Sequence, residues 1–321
     1  MTTELVLLGT AGAPLPVAGR AGISSVLVVG ERIFVVDCGR GAPSGFADAG
    51  LDFGRLEAVF LTHLHADHVG DLPGMLLYGW GARAGTGGPL PPVMVYGPSR
   101  PAVLPGGDDA FARQTVIHPE LPAPGTADLV GHILAGYAYH LNVMPLDARM
   151  PDPSALVRAA DIAFPADGGG RPVTVTSDGI MQVRAVLVQH GHAVPSLAYR
   201  FDTPDGSVVF SGDTTVSDDL IALAAGADIL VHQVADLAYL ERRGVTGPAL
   251  AHLAGLHTDV TQVGNVAERA GVGELILSHY LPADPAAISE AEWAQRAGRG
   301  FGGTTTAGRD GMRRTLAARR G

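Results

Sequence analysis

Residues 58–68 read AVFLTHLHADH: an apolar run, Ala58-Val59-Phe60-Leu61, followed at once by Thr62-His63-Leu64-His65-Ala66-Asp67-His68. The apolar run has the length and composition of a buried strand. Four side chains able to ligate a metal then fall within six residues. On an extended backbone His63 and His65 point to the same side, because side chains alternate along a strand. Asp67 and His68 fall where the chain turns into a helix, so they can face a second, adjacent point. One short segment can thus hold two metal ions close together. Imidazole nitrogen and carboxylate oxygen suit zinc, and also manganese or iron. A histidine-rich surface turn is the bland alternative. It is the weaker reading, because three imidazoles and a carboxylate crowded at one strand end repel and desolvate one another unless a cation satisfies them.

The strand ending in this cluster is the fourth of a series: ELVLLG, SSVLVVG, RIFVVDCG and LEAVFLTH are short apolar runs divided by Gly and Pro. ADHVGDLPGMLLYGW follows with helical spacing at Leu72, Leu76 and Leu77 and with Pro73 near its start, where Pro is tolerated. PVMVYGP is another strand. Beyond residue 180 strands resume with MQVRAVLVQH, SLAYRFD, SVVFSGD, ADILVHQ and ELILSHY. The turn DTPDG makes a hairpin of SLAYRFD and SVVFSGD. Ser217 with Asp218 and Asp219 opens a helix through Leu223, TDVTQVGNVAERAG is a helix closed by Gly271, and SEAEWAQRAG is a short last one. The segment 97–180 differs in texture: it is rich in Pro and Gly and carries five Arg against nine Asp or Glu. In it TADLVGHILAGYAYHLNVM reads as one helix and SALVRAAD as a second, and the whole is expected to lie over the core as an insertion flanking a cleft. The tail with Arg309, Arg313, Arg314, Arg319 and Arg320 is expected to fray. Sheets with helices outside them fit one α/β layered domain over residues 1–321.

The chain has 321 residues, 46% hydrophobic and 17% charged, which excludes a disordered tail. Its net charge is −10 and it contains no Lys, so the broad basic surface of a protein that coats nucleic acid is missing. Cys38 is the only cysteine, which excludes an internal disulfide and a cysteine-based zinc cluster. No run of 18 apolar residues occurs, and the first base, Arg20, comes too late for a secretory leader. The expectation is a cytoplasmic protein with no membrane partner.

THLHADH, with LGTAGAP at the start and VVDCG before it, resembles the metallo-β-lactamase superfamily. The resemblance covers most of the chain. It implies an αββα four-layer sandwich with a helical insertion and a two-metal site at one edge, holding two zinc ions per chain, with manganese or iron as substitutes. Later motifs follow in order: QHGHAVPSLAYRFD, FSGDT and LILSHYLPAD. By resemblance His63, His65 and a histidine of the third motif hold one metal, Asp67, His68 and His279 hold the other, and Asp213 bridges them. His190 and His192 are both open for the third-motif position; His190 is favoured because it directly ends the strand MQVRAVLVQ, which leaves His192 facing solvent or substrate. Asp37 in VVDCG is expected to orient a ligand histidine through a hydrogen bond. Cys38 is read as a small buried hydrophobe.

Within the superfamily HVGDLPG resembles the ribonuclease Z and zinc arylsulfatase branch, and HTDVTQVGNVAERAG and LSHYLPAD are most similar to the arylsulfatase-like hydrolases. That likeness implies that His257 donates a proton to, or contacts, the leaving group, with a helix-capping or structural role as the rival, and Asp67 is the other catalytic candidate. The related pattern has Glu where Gln233 stands. His232 and His252 are weaker candidates, and His118, His132 and His140 are read as non-ligands. Arg200 is a candidate for steering an anion, with a structural role at a strand end as its rival.

The implied chemistry is hydrolysis by a hydroxide shared between two metals. Two zinc ions bring four positive charges, and Asp67, Asp213 and hydroxide return three, so the site is left with about one net positive charge. Such a site favours a small anionic ester, and an arylsulfatase-like sulfate or phosphate ester hydrolase is the main expectation. A ribonuclease Z-like tRNA 3′ endonuclease and a lactone or carboxylic-ester hydrolase are the alternatives; a non-catalytic metal-binding scaffold is the reading from another class. Because the 97–180 segment is acidic on balance, nucleic acid is not the expected partner. A homodimer is suggested by resemblance alone.

Overall fold

The structure is a computed structural model that describes residues 2–84, 91–102, 104, 116–152, 157–165 and 170–316. One sheet contains β1 (Thr3–Gly9), β2 (Ser24–Val29), β3 (Arg32–Val36), β4 (Leu56–Phe60), β5 (Val93–Pro98), β6 (Val157–Ile162) and β14 (Arg313–Leu316), in the order β14-β1-β2-β3-β4-β5-β6. The other contains β7 (Val173–Ser177), β8 (Gln182–Val188), β9 (Ser196–Thr203), β10 (Gly206–Phe210), β11 (Ile229–Ala235), β12 (Glu274–Leu281) and β13 (Thr304–Ala307), in the order β13-β12-β11-β10-β9-β8-β7. In each sheet an antiparallel part passes into a parallel part, at β3–β4 and at β10–β11.

The central strands are buried on both faces, which is why they read as unbroken apolar runs. In β4, Ala58 and Phe60 face the layer between the sheets, and Leu56 and Val59 face the helices outside. In β11, Ile229 and Val231 face inward, and Leu230 and Val234 face outward. Phe60 anchors the inner layer, with ring centroids 5.2 Å from Tyr96 and 5.0 Å from Phe201. Outside the first sheet lie α1 (Ala42–Asp48) and α3 (Leu72–Ala84), which bury Phe46, Leu72, Met75 and Leu76; the single turn α2 (Ala66–Val69) carries part of the site. Outside the second lie α6 (Asp218–Leu223), α9 (Val260–Ala270) and α10 (Glu290–Ala297). The apolar stripe Val260, Val263, Val266, Ala267 and Ala270 of α9 has the spacing of a helix packed on one face. These layers are the expected α/β sandwich.

The segment between the two halves departs from expectation. Residues 126–148 form two helices, α4 (Thr126–Gly136) and α5 (Ala138–Ala148), broken at Tyr137, where one was expected. Residues 157–161 of SALVRAAD, with Ile162, are the strand β6, paired parallel to β5 from Val93↔Val157 to Pro98↔Ile162, where a helix was expected; its residues 154–156 lie outside the described residues. The open edge of β5 supplies hydrogen-bond partners that outweigh the mild helical preference of Ala and Arg. With β6 on one sheet and β7 on the other, this segment extends both sheets, and its helix α4 packs on the first.

The tail also departs from expectation: Arg313 and Arg314 belong to β14, antiparallel to β1, and pair with Glu4 at 2.5 Å and Glu274 at 3.2 Å. Arg319 and Arg320 lie outside the described residues. Helices α1, α7 (Leu237–Arg242) and α8 (Gly247–Ala254) and strand β13 were not anticipated. Among the described residues no helix is long and apolar enough to cross a membrane.

Candidate metal centre

The cluster following β4 is held by Asp37, which sits just past β3 with a left-handed φ of 59°. Its carboxylate accepts from the Thr62 backbone N–H (2.8 Å), the Thr62 hydroxyl (2.8 Å) and His68 Nδ1 (2.8 Å). Asp37 is thus a buried carboxylate that orients a histidine and fixes its tautomer: with Nδ1–H donating to Asp37, the His68 Nε2 lone pair faces the site. The two sheets meet here, where Leu197 N–H donates to the Thr62 carbonyl at 2.9 Å and Tyr199 hydroxyl to the Leu61 carbonyl at 2.7 Å.

The second sheet brings three more groups to the same rim. His190 follows β8, and its Nδ1–H donates to the Leu256 carbonyl at 3.0 Å, which turns Nε2 toward His65. Asp213 follows β10 just after Gly212, whose φ is 57° and whose Cβ, were there one, would lie 2.4 Å from the Leu197 carbonyl oxygen. His279 is the extra residue of a bulge in β12, with φ 47°. It packs so closely on Gly12 of the LGTAGAP motif that a Cβ there would lie 2.7 Å from His279 Nδ1. Left-handed backbone at two non-glycine residues is unfavourable by about 1–3 kcal/mol each and persists because the surroundings impose it.

Four groups have ligand-type atoms all within 4.8 Å of one another: His63, His65 and His190; His63, His68 and Asp213; Asp67, His68 and His279; and His190, Asp213 and His257. Asp213 Oδ2 is central, 3.7 Å from His190 Nε2, 3.6 Å from His68 Nε2 and 3.2 Å from His279 Nε2. The donor set fits divalent cations. His63 Nε2 is buried and has no hydrogen-bond partner among the described residues. His190 Nε2 lies 3.3 Å from His65 Nδ1, and His68 Nε2 lies 3.2 Å from His279 Nε2. Two facing ring nitrogens so close share a single proton or turn both lone pairs to a cation.

The charges tell the same story. Burial, with neighbouring His68, holds His63 well below the ordinary histidine range, and burial lowers His65 and His190. Burial works to raise the Asp67 carboxyl, but the His279 hydrogen bond and the His68 charge outweigh it and hold it at about 2. Burial likewise opposes the charged forms of His68 and Asp213, yet Asp37 and Asp213 raise His68, and His279 and His68 hold Asp213 well below the carboxylate range. A cation at His68 Nε2 takes the place of that ring's second proton.

His257, at the foot of α9, adjoins this rim: its ring stacks on His279 with centroids 5.7 Å apart, and burial pushes it down to about 3. With His65, Asp67, His190, Asp213 and His279 it lines a cleft of about 300 Å³, whose far wall is Leu253, Leu256 and His252. His192 is exposed, belongs to none of the four groups, and lines two adjoining clefts that open beside His65. Arg200 does not join the site. Its guanidinium donates to Asp202 (2.8 Å) and to the Leu223 and Ala225 carbonyls (2.9 Å each), at the C-terminal end of α6. His232 faces its own strand, Nδ1 to the Gln233 carbonyl at 2.6 Å. Cys38 is buried, and burial raises its thiol. Sequence reasoning did not foresee that Thr62 and Leu256 would support the clustered side chains; Thr62, inside the quoted motif, was the legible one.

Fold and site together define a class. The chain belongs to the metallo-β-lactamase superfamily, whose pattern matches residues 18–279, and it is a metal-dependent hydrolase. It is 35% identical over 317 residues to the Ribonuclease Z of Mycobacterium avium (strain 104), covering 96% of both chains. It is 33% identical over 308 residues to the Ribonuclease Z of Mycobacterium sp. (strain KMS), covering 93% of this chain and 90% of that one. In fold it is similar to human tRNase Z, short form (TM-score 0.62, 19% identity, 98% and 99% of the two chains). It is also similar to the metallo-β-lactamase fold protein YhfI from Bacillus subtilis (TM-score 0.63, 18% identity, 98% and 100%). The names of the sequence relatives support the ribonuclease Z-like alternative over the arylsulfatase-like expectation, and they leave the expectation of no nucleic-acid partner unsupported.

Proposed function

We propose that the protein is a two-metal phosphodiesterase of the ribonuclease Z kind, acting on an RNA 3′ end. The observation that carries the reading is the pairing of one rim, on which Asp213 touches two sets of imidazoles, with relatives of that name matched over nearly the whole chain. His63, His65 and His190 would hold one zinc ion, Asp67, His68 and His279 a second, and Asp213 both; manganese or iron suits the same donors. Bound there, the ions supply Lewis acidity toward water and toward the ester oxygens.

The chain's own groups do the rest. Asp67, ionised and partly exposed at the cleft, is placed to accept a proton from the attacking water. His257 borders the same cleft and would there contact the departing side of the ester. Asp37 and the Leu256 carbonyl hold His68 and His190 in the tautomers that face the ions. In this reading Arg200, which donates to Asp202 and to the Leu223 and Ala225 carbonyls, has a structural role.

The test is a panel given to zinc- or manganese-loaded protein: a tRNA precursor with a 3′ trailer, bis(4-nitrophenyl) phosphate, 4-nitrophenyl sulfate and an aryl lactone. Cleavage of the precursor at one position near its 3′ end, with a gel shift on the same RNA, is expected. Turnover of the sulfate ester with the precursor intact would restore the arylsulfatase-like reading instead.

A further inference from the structure

Gln233 and Thr214 close a hydrogen-bond chain behind His257. Gln233 is buried on β11, and its Nε2 donates to the Thr214 carbonyl at 2.8 Å. Only the NH₂ end of an amide can face a carbonyl, so the orientation of Gln233 is settled and its oxygen points the other way. That oxygen lies 3.1 Å from His257 Nδ1. An amide oxygen can only accept, so Nδ1 carries the ring proton. Both partners are anchored independently. The Gln233 backbone N–H donates to the Ser211 hydroxyl at 3.1 Å, and Thr258, next to His257, donates its hydroxyl to the same Thr214 carbonyl at 2.8 Å. With Nδ1–H given to Gln233, and the same Nδ1 3.8 Å from Asp213 Oδ2, Nε2 is the ring atom left for a substrate group, in a side chain that lines the cleft beside Asp67.

We propose that Gln233 is a positioning residue that fixes His257 as the Nδ1–H tautomer, so that Nε2 accepts a hydrogen bond from a substrate hydroxyl next to the scissile ester. For the identity of that hydroxyl the inference rests on the phosphodiesterase reading: in RNA it is the ribose 2′-hydroxyl, the group that distinguishes RNA from DNA. The tautomer does not depend on that reading. An acceptor at this place selects substrates that bring a donor, because a substrate without one leaves a desolvated lone pair unpaired. The Glu of the related pattern cannot give the same arrangement, since a carboxylate has no N–H for the Thr214 carbonyl.

Two measurements test this. In ¹⁵N-histidine-labelled, zinc-loaded protein, long-range ¹H–¹⁵N correlation spectra, with His257 assigned by the His257→Gln variant, should show Nδ1 protonated and Nε2 not. In Gln233→Met that pattern should be lost while the other histidine signals persist. A His257 protonated at Nε2, or unprotonated at Nδ1 because a metal sits there, overturns the proposal. The second measurement uses matched RNA oligonucleotides that differ by one 2′-hydroxyl at the cleaved linkage. Removing it should lower kcat/KM about tenfold in the wild type, and His257→Gln should cleave the two alike. Equal cleavage by the wild type overturns the hydroxyl contact. If neither RNA is cleaved while bis(4-nitrophenyl) phosphate is, the ribose half falls together with the proposed function, and the NMR spectra alone decide the tautomer.

Discussion

Two sides of one rim reach the same chemistry by different means. From the first sheet, a single passage from strand to helix delivers His63, His65, Asp67 and His68; from the second, His190, Asp213 and His279 come from three separate strands. Their support differs too. The first side hangs on side chains, with Asp37 accepting from Thr62 and His68. The second hangs on backbone: the Leu256 carbonyl under His190, the bulge that aims His279, and the left-handed Gly212 before Asp213. Side-chain support can be removed by one substitution that leaves the strand in place. Backbone support can only be strained, so damage to it shows first as lost stability.

The comparison breaks most directly at the group both sides share. Asp213→Ala should lower turnover by on the order of 10³-fold or more, and elemental analysis should find bound metal reduced at both groups. Circular dichroism should show the chain still folded. A variant that keeps its metal and its rate would leave no bridging role for Asp213. On the first side alone, Asp37→Asn should weaken metal retention by about 10–100-fold against a competing chelator, with little change in unfolding midpoint, because strand β3 keeps its pairing.

The same asymmetry governed what the sequence could say. The first side was legible residue by residue, because HLHADH places four donors on one turn of chain and its alternation needs no partner strand. The second side was legible only through resemblance. Nothing in the spacing of His190, Asp213 and His279 says that three strand ends meet, since their approach is made by antiparallel pairing across β8, β9 and β10 and parallel pairing across β10, β11 and β12. The choice between His190 and His192 turns on a carbonyl at residue 256, far away in sequence. The misread pieces are governed by tertiary context as well. The residues of β6 are polar or half-buried on most positions, and the edge of β5 alone makes them a strand. Arg200 was open between steering an anion and a structural role at a strand end, and the end of α6, distant in sequence, takes its donors.

Backbone support is tested by Gly12→Ala. The added methyl has no room beside His279 Nδ1 and the Tyr280 carbonyl, so either the loop before Ala13 or the bulge must move. A loss of about 1–3 kcal/mol in chemical denaturation is expected, larger than that of Asp37→Asn, although Asp37→Asn is the more harmful to metal retention. If Gly12→Ala is neutral to stability and instead strips metal as Asp37→Asn does, the division between backbone-held and side-chain-held ligands fails.

The smallest effect belongs to Arg200→Ala. Its guanidinium ties Asp202 to two carbonyls that end α6, and the side chain is mostly buried there. Removing it leaves those carbonyls to water and lowers stability by about 1 kcal/mol, read as a shift in denaturant midpoint at constant slope. Because none of its partners touches a ligand, kcat/KM on bis(4-nitrophenyl) phosphate and metal content should not move. A fall in KM-dependent rate on anionic substrates, with stability unchanged, would mean that Arg200 reaches the cleft in solution and steers substrate after all.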